Sequence, residues 1–237
     1  MDVEIFIPCF IDQIYPETGM NMVKVLEKAG CKVHYNKSQT CCAQPAYNAG
    51  FWDEAREVAT KFIKDFKGDR PIITPSGSCA GMVKGQYGKL FHNSSLHNQC
   101  KNTQERMYEL SDFLVNVLEF TDFDATLNAK VAYHDACGAL REYGIKQEPR
   151  TLLKKVKGLE LVDLKYEETC CGFGGTFSVK FNDISTAMAE QKVENALDAG
   201  AEYIVSTDAS CLMHMYGYVK KNKLPLKFLH IADVLVG

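Results

Sequence analysis

The chain contains, at residues 169–175, the stretch Thr169-Cys170-Cys171-Gly172-Phe173-Gly174-Gly175, in which two adjacent cysteines precede a glycine-rich turn. A second adjacent pair stands at residues 41 and 42. Each pair is preceded by one cysteine and followed by another, so the same order occurs twice: Cys9, Cys41, Cys42 and Cys79, then Cys137, Cys170, Cys171 and Cys211. Eight of the ten cysteines belong to this repeat. Matched cysteines in a duplicated segment indicate metal or redox chemistry rather than packing.

The repeat also predicts how the 237-residue chain is divided. We expect two lobes of similar size, residues 1–122 and residues 123–237, because each then carries one complete set of four cysteines. The helical pattern is broken at the join, around residues 121–126. A hydrophobic fraction of 46% is ordinary for a chain with buried cores.

Each half reads as three short strands that alternate with helices. The predicted strands are residues 3–7, 32–35, 71–74, 130–133, 159–164 and 203–206, and the longer predicted helices are residues 52–66, 104–120 and 183–198. Such alternation is typical of a parallel sheet with right-handed crossovers. We therefore expect an α/β fold of two pseudo-symmetric, Rossmann-like lobes, each a small parallel sheet flanked by helices. Loops at the carboxyl ends of parallel strands converge on one edge, so the four cysteines of each lobe should meet there.

Composition narrows the function classes. A formal charge of −3 supplies no basic surface, so nucleic acid is not an expected partner. The first residues lack the cationic start of a signal peptide, and no apolar run approaches the ~18–20 residues of a membrane span. We therefore predict a cytoplasmic protein without a transmembrane segment. In that compartment clustered cysteines more often bind metal or react than form structural disulfides.

Three interpretations of the repeat compete. Buried packing explains one cysteine at a time, not matched sets. Four thiolates also make a closed zinc site in one or both lobes, although structural zinc favours closely spaced pairs that are absent here. An iron–sulfur cluster needs four thiolates too, and wide spacing is no obstacle when a sheet brings the loops together. We favour the cluster, while a redox dithiol at an adjacent pair remains open.

The adjacent pairs place a demand on the backbone. Neighbouring side chains of an extended strand point to opposite faces, so the chain must turn if both sulfurs are to reach one site. Gly172 provides the freedom for such a turn. The first pair is followed by Ala43, and we expect the turn there to be made in another way.

Four segments carry a family resemblance: Thr40-Cys41-Cys42-Ala43-Gln44-Pro45-Ala46-Tyr47-Asn48, Pro75-Ser76-Gly77-Ser78-Cys79, Thr169-Cys170-Cys171-Gly172-Phe173-Gly174-Gly175-Thr176-Phe177-Ser178-Val179-Lys180 and Asp208-Ala209-Ser210-Cys211. Over essentially its whole length the chain resembles the cysteine-rich CCG-domain proteins. These include the B subunit of heterodisulfide reductase and iron–sulfur subunits of glycolate and glycerol-3-phosphate oxidation. Within them it most resembles the lactate-utilisation protein A family.

The resemblance implies both ligands and role. The eight repeated cysteines would bind a [4Fe–4S] cluster in each lobe, with zinc in one lobe as the alternative. The chain would be an electron-transfer subunit of an L-lactate oxidation complex, working with a ferredoxin-like iron–sulfur protein and a third subunit. It departs from the family pattern where Ser76 and Asp208 replace the first cysteine of a final CxxC. The heterodisulfide reductase relatives use five thiolates per site to hold unusual clusters. This chain offers four per lobe, which favours an ordinary [4Fe–4S] cluster and counts against disulfide cleavage.

Other functions remain as alternatives. A zinc-stabilised scaffold would assemble partners without passing electrons, and a thiol/disulfide redox protein of the heterodisulfide reductase type would use the adjacent cysteines directly. The chain has no G-x-G-x-x-G after a strand and no tight ferredoxin cysteine run, so we predict no catalytic residues of its own.

Three further residues carry separate expectations. His134, three residues before Cys137, is either an ordinary loop histidine or a group that tunes a cluster by hydrogen bonding. Cys31 has an aliphatic counterpart in the second half, which predicts simple packing at a strand start. Cys100 lies in a polar stretch and is expected to be a free surface thiol.

Overall fold

A computed structural model describes residues 1–237. The protein consists of two lobes of similar construction. The elements of the first lobe are β1 (Asp2–Ile5), α1 (Cys9–Ile14), α2 (Pro16–Lys28), β2 (Lys32–Tyr35), α3 (Gln44–Asn48), α4 (Trp52–Asp65), β3 (Ile72–Thr74), α5 (Gly77–Gly81), α6 (Tyr87–Leu90), α7 (His97–Arg106), β4 (Met107–Glu109) and α8 (Leu110–Asp112). The second lobe consists of β5 (Thr126–Tyr133), α9 (Gln147–Leu153), β6 (Lys157–Val162), α10 (Thr176–Lys180), α11 (Asn182–Asp198), β7 (Tyr203–Ser206), α12 (Ala209–Asn222), β8 (Lys227–His230) and α13 (Ile231–Val236). Wider π-helical turns occupy Met82–Gln86, Phe113–Val117 and Gly138–Tyr143.

Each lobe contains one four-stranded sheet in which every pairing is parallel. The strand order is β2-β1-β3-β4 in the first lobe and β6-β5-β7-β8 in the second. The two orders are equivalent, and helices flank both sheets. The predicted fold class, two pseudo-symmetric α/β lobes, is confirmed.

Local sequence explains the individual elements, as α2 illustrates. Pro16 stands at its first position, where the fixed φ of proline suits a helix start. Met22, Val25 and Leu26 recur at helical spacing and are buried. Gly30 follows with a φ of 83°, a left-handed conformation that ends the helix at low cost.

Each sheet has one strand that the sequence did not predict. The predicted helix over residues 104–120 is interrupted, because α7 ends at Arg106 and β4 then pairs in parallel with β3 before helical structure resumes at Leu110. In the second lobe β8 pairs with β7. Both strands are only three or four residues long, and both lie at a sheet edge. Their conformation depends on pairing with a distant strand, which overrides local propensity.

The hydrophobic core joins the lobes. A cluster of 23 buried residues includes Val3 and Ile73 from the first sheet together with Val131 and Val205 from the second. A further core of 18 buried residues belongs to the first lobe and one of 15 to the second. The predicted boundary between residues 122 and 123 falls in the connection between the sheets, and it stays a prediction.

Glycines let the lobes approach closely beside the cysteine loops. A Cβ at Gly77, in α5, would lie 2.3 Å from the Cβ of Ala139 in the π-helical turn of the other lobe. A Cβ at Gly138 would lie 2.8 Å from the Cα of Ser78. Distances below 3 Å leave no room for a side chain, so backbone packs on backbone here. This contact brings the two sets of cysteine loops face to face.

Candidate metal centre

Strand ends position all eight repeated cysteines. Cys9 and Cys137 follow the central strands β1 and β5, and the adjacent pairs follow β2 and β6. The remaining cysteine of each lobe lies in the helix after β3 or β7. All eight line a single cleft between the lobes. The expectation that sheet topology gathers these cysteines therefore agrees with their placement, and both sets share one opening.

The first lobe holds its four sulfurs in a chain of contacts. The Sγ atoms of Cys42 and Cys79 lie 3.3 Å apart. Hydrogen bonds link Cys9 to Cys41 and Cys41 to Cys42. The hydrogen bond to Cys41, together with burial, raises the pKa of Cys9 above that of an ordinary thiol. The contact with Cys42 raises the pKa of Cys41 to about 11. Without a metal Cys9 and Cys41 therefore hold their protons.

The second lobe repeats the chain in the order Cys137, Cys170, Cys171 and Cys211. Cys170 accepts hydrogen bonds from its neighbours Cys137 and Cys171, and these lower its pKa below the ordinary thiol value. The backbone N–H of Gly172 also donates to the Sγ of Cys170 over 3.3 Å. The same contacts raise the pKa of Cys137 and Cys171. These hydrogen bonds favour the thiolate form of Cys170, which is the form that binds metal.

The backbone turns in the same way after both adjacent pairs, which corrects one expectation from the sequence. Gly172 has a φ of 91°, and Ala43 has a φ of 71°. Ala43 therefore occupies the left-handed region although it carries a Cβ, at a cost of roughly 1–2 kcal/mol. The expectation of a different turn in the first lobe was wrong. It failed because it treated a glycine preference as a requirement.

We expect Ala43→Gly to change the free energy of unfolding by less than about 1 kcal/mol. Relief of the left-handed strain favours the variant. Loss of a buried methyl group, worth about 0.8 kcal/mol, and the greater freedom of glycine in the unfolded chain oppose it. Urea unfolding of both proteins measures the difference. A loss above about 2 kcal/mol would show that methyl packing outweighs the strain.

His134 lies behind the cysteines of the second lobe and is fully buried. Neither ring nitrogen has a hydrogen-bond partner. Its ligand atom and the sulfurs of Cys171 and Cys211 all lie within 4.8 Å of one another. Burial and the nearby charge of Lys192 lower its pKa to about 3, so the imidazole is neutral at pH 7. The interpretation of His134 as an ordinary loop histidine therefore does not fit, because its ring is buried and has no hydrogen-bond partner.

Two further buried groups near the second set of cysteines were not found from the sequence. The Nζ of Lys192 donates to the carbonyl oxygens of Tyr166 at 3.2 Å and Glu167 at 2.7 Å. Arg150 forms a two-pronged pair with the buried carboxylate of Asp135 at 2.8 and 2.7 Å. Lys192 lies on the buried face of α11, at helical spacing from Ala189 and Ala196. The two carbonyl oxygens of the neighbouring loop provide the hydrogen-bond partners of its buried ammonium group.

Asp208 bridges the lobes at one of the positions where the family's CxxC cysteine is replaced. The hydroxyl of Ser76, at the other such position, donates to its carboxylate at 2.8 Å. The hydroxyl of Ser78 donates at 2.6 Å, and the backbone N–H of Ser78 donates at 3.1 Å. Burial raises the pKa of Asp208 to about 6. The two replaced positions thus bind each other across the cleft.

Glu109 is a second buried carboxyl at the lobe junction. The hydroxyl of Thr207, from the other lobe, donates to it, and so does the backbone N–H of Ser111 at 2.6 Å. Burial nevertheless raises its pKa from 4.5 to about 7. The folded protein therefore binds this proton more tightly than the unfolded chain does.

We expect a pH dependence of stability that Glu109→Gln removes. The contribution of Glu109 is fully present below pH 4.5 and is lost as pH rises through about 7. The loss is on the order of 3 kcal/mol. Urea unfolding of both proteins between pH 5 and pH 8 isolates it, because buried histidines with lowered pKa values act equally on both. A constant difference between the two proteins would contradict the assignment.

The remaining two cysteines lie outside the cleft. Cys31 is 7% exposed and packs in the shared core, as its aliphatic counterpart indicated. Cys100 is only 1% exposed, so the expected surface thiol is wrong. It belongs to the core of the first lobe because α7 turns this face inward.

The donor set fits a metal centre in each lobe. Thiolates are soft ligands that suit zinc or iron–sulfur clusters. Four half-exposed cysteines (Cys9, Cys41, Cys137 and Cys170) and four buried ones (Cys42, Cys79, Cys171 and Cys211) form two matching sets. All ten cysteines are free thiols, and the unpartnered ring of His134 faces the second set.

Comparison with known proteins agrees with this geometry. The profile of the CCG family, described as a cysteine-rich domain, matches residues 3–84 and 131–216, one match in each lobe. A protein of Bacillus mycoides (strain KBAB4) named lactate utilization protein A 1 is 45% identical over 237 residues, covering 99% of this chain and 96% of the relative. Lactate utilization protein A of Geobacillus sp. (strain WCH70) is 42% identical over 236 residues, covering 99% of each. The chain belongs to the lactate utilization protein A family.

Among solved structures, this member of the lactate utilization protein A family is similar to a hypothetical protein from Helicobacter pylori. The TM-score is 0.64 at 11% identity, with 99% of this chain and 48% of that chain covered. The family member thus spans about half of that structure, and the likeness supports the fold alone. None of its helices combines the length and the apolar character needed to cross a bilayer.

Proposed function

We propose that this chain is an iron–sulfur electron-transfer subunit of a lactate-utilisation system, holding one [4Fe–4S] cluster in each lobe. The single observation that carries the proposal is the placement of eight cysteines around one cleft. The ligands would be Cys9, Cys41, Cys42 and Cys79 in the first lobe and Cys137, Cys170, Cys171 and Cys211 in the second. The names of the relatives supply the link to lactate.

The openness of the sites favours clusters over structural zinc. A structural zinc site is closed and serves stability. Here two cysteines of each set are half-exposed at the cleft, so a group bound to them lies close to solvent and to an approaching partner. Bound clusters would supply one-electron redox chemistry, while the protein would set the potential through burial and hydrogen bonds to sulfur.

The charges of the cleft favour a relay over a lactate-binding enzyme. Its lining includes the carboxyl groups of Glu142 and Asp208 but no arginine, lysine or histidine. A carboxylate substrate such as lactate would find no cation to pair with it there. Lactate oxidation, which releases two electrons and two protons per pyruvate formed, is therefore assigned to a partner. That partner would release the protons to solvent and pass the electrons to this chain.

The partners in this proposal are a ferredoxin-like iron–sulfur protein and a third subunit of the same system. The place of action would be the cytoplasm, where ten free thiols stay reduced. Clusters bound by thiolates are sensitive to oxidation, and the same reducing compartment would protect them.

Metal analysis of anaerobically purified protein tests the proposal. Brown protein with about eight iron and eight sulfide per chain, two [4Fe–4S] clusters, would support it. A spin signal that appears on reduction with dithionite would agree. Colourless protein with zinc and no sulfide would favour the scaffold instead, and turnover of a disulfide substrate by metal-free protein would favour a thiol reductase. Reduction of the clusters by L-lactate should require the partner subunits.

A further inference from the structure

The two sets of cysteines differ in the side chain that lies behind them. His134 follows the end of β5, three residues before Cys137, and Phe6 follows the end of β1, three residues before Cys9. Both are fully buried. The ring of Phe6 packs edge-on against Phe62, with centroids 4.8 Å apart. The first site is therefore backed by hydrocarbon, whereas the second is backed by an imidazole.

The backbone fixes His134 in place without using its ring. Its N–H donates to the carbonyl oxygen of Val205 at 2.8 Å, and its carbonyl oxygen accepts from the hydroxyl of Ser206 at 3.0 Å. The ring itself has no partner on either nitrogen. A buried polar group without a partner is costly, and each such case calls for an explanation. The sulfurs of Cys171 and Cys211, within 4.8 Å, lie next to the unpaired ring.

A bound metal centre would satisfy this ring. The neutral imidazole carries one N–H donor, and thiolate or sulfide sulfur is an acceptor. The lysine near the ring does not compete as an acceptor, because Lys192 has only donors and already binds two carbonyl oxygens. The positive charge of Lys192 is close enough to Cys170 and Cys171 to stabilise negative charge on their sulfurs.

We propose that His134 donates its ring N–H to a sulfur of the metal centre bound in the second lobe, and that this centre consequently has a higher reduction potential than the one in the first lobe. The inference rests on the proposed function. Reduction adds one electron to the centre and makes it more negative, and a nearby N–H dipole and ammonium charge stabilise that added charge. Phe6 offers no donor at the matching place. His134 would thus raise the reduction potential through a hydrogen bond, without being a ligand.

Redox titration of the intact, anaerobically purified protein tests this, with dithionite as reductant and the spin signal as readout. We expect two midpoint potentials. His134→Phe, which copies the first lobe, should lower the higher one by at least a tenfold change in the one-electron equilibrium constant, about 59 mV. The lower potential, the iron content and the sulfide content should not change. His134→Leu carries the same expectation without requiring space for a larger ring.

Two further variants sharpen the test. His134→Gln keeps an N–H donor, so the higher potential of this variant should stay close to the wild-type value. His92→Phe, at an exposed histidine of the first lobe, should change neither potential. Unchanged potentials in His134→Phe at full iron content would overturn this inference alone. Loss of iron from that variant would also overturn it, because His134 would then be a ligand. Wild-type protein without iron and sulfide would overturn the proposed function as well.

Discussion

Cys171→Ser is expected to remove about half of the iron and acid-labile sulfide of the anaerobically purified protein. Cys171 is 1% exposed and stands between Cys170 and Cys211 in the sulfur chain of the second lobe. A serine hydroxyl holds its proton at neutral pH and is a poor ligand for soft metals, so the four-sulfur set is broken. The first lobe has its own complete set and should keep its cluster. Iron and sulfide analysis, together with the intensity of the spin signal, measures the loss.

Two other cysteines provide the controls. Cys100→Ser changes a thiol that is equally buried but does not line the cleft, with its Sγ beside the side chain of Gln104 at 3.6 Å. Cys42→Ser, the matching change in the first lobe, should remove the other half of the iron. Complete loss of iron in Cys171→Ser would instead indicate one centre shared by both lobes. An unchanged iron content would remove Cys171 from the ligand set.

Gly172→Ala is expected to lower the free energy of unfolding by about 4 kcal/mol. A Cβ at this position would lie 2.6 Å from the carbonyl oxygen of Ser185 and 2.9 Å from the Cβ of Met188. Both atoms belong to α11, which would have to move; such overpacking costs about 1–3 kcal/mol. The left-handed φ of 91° adds roughly 1–2 kcal/mol for any residue with a Cβ. Because the turn aims Cys171 into the cleft, iron binding in the second lobe should weaken as well.

Gly144→Ala separates the two causes. Gly144 has a left-handed conformation with a φ of 101°, but a Cβ there would meet nothing within 4 Å. This variant should lose only the strain contribution, about 1–2 kcal/mol. Urea unfolding of both variants measures the difference. Equal losses would show that the contact with α11 carries no cost.

The position of the cysteines was predictable because it depends on the order of strands and helices and not on individual side-chain contacts. Strands that alternate with helices place loop ends at one sheet edge, and the repeat assigns one such edge to each lobe. The short edge strands β4 and β8 were not predictable, since pairing with β3 and β7 decides their conformation. The close approach of the lobes at Gly77 was not predictable either, because a glycine in the sequence does not show which residue it will contact.

The shell around the cysteines was harder to predict than the cysteines themselves. Helical spacing places Lys192 on the buried face of α11, but the sequence does not show that its ammonium group binds the carbonyl oxygens of Tyr166 and Glu167. Nothing local places Asp208 against Ser76, because that contact depends on how the lobes pack. His134 was noticed from its place before Cys137, but its lack of partners is visible only in three dimensions.

The mixed cluster of 23 buried residues has a consequence for how the halves can be handled. A fragment ending near residue 122 would expose α2, on which α13 of the other half now packs, and the turn Phe113–Val117, on which α9 packs. Such a fragment should aggregate or stay unfolded, and the intact chain should melt in a single transition. Neither half is therefore expected to be stable without the other.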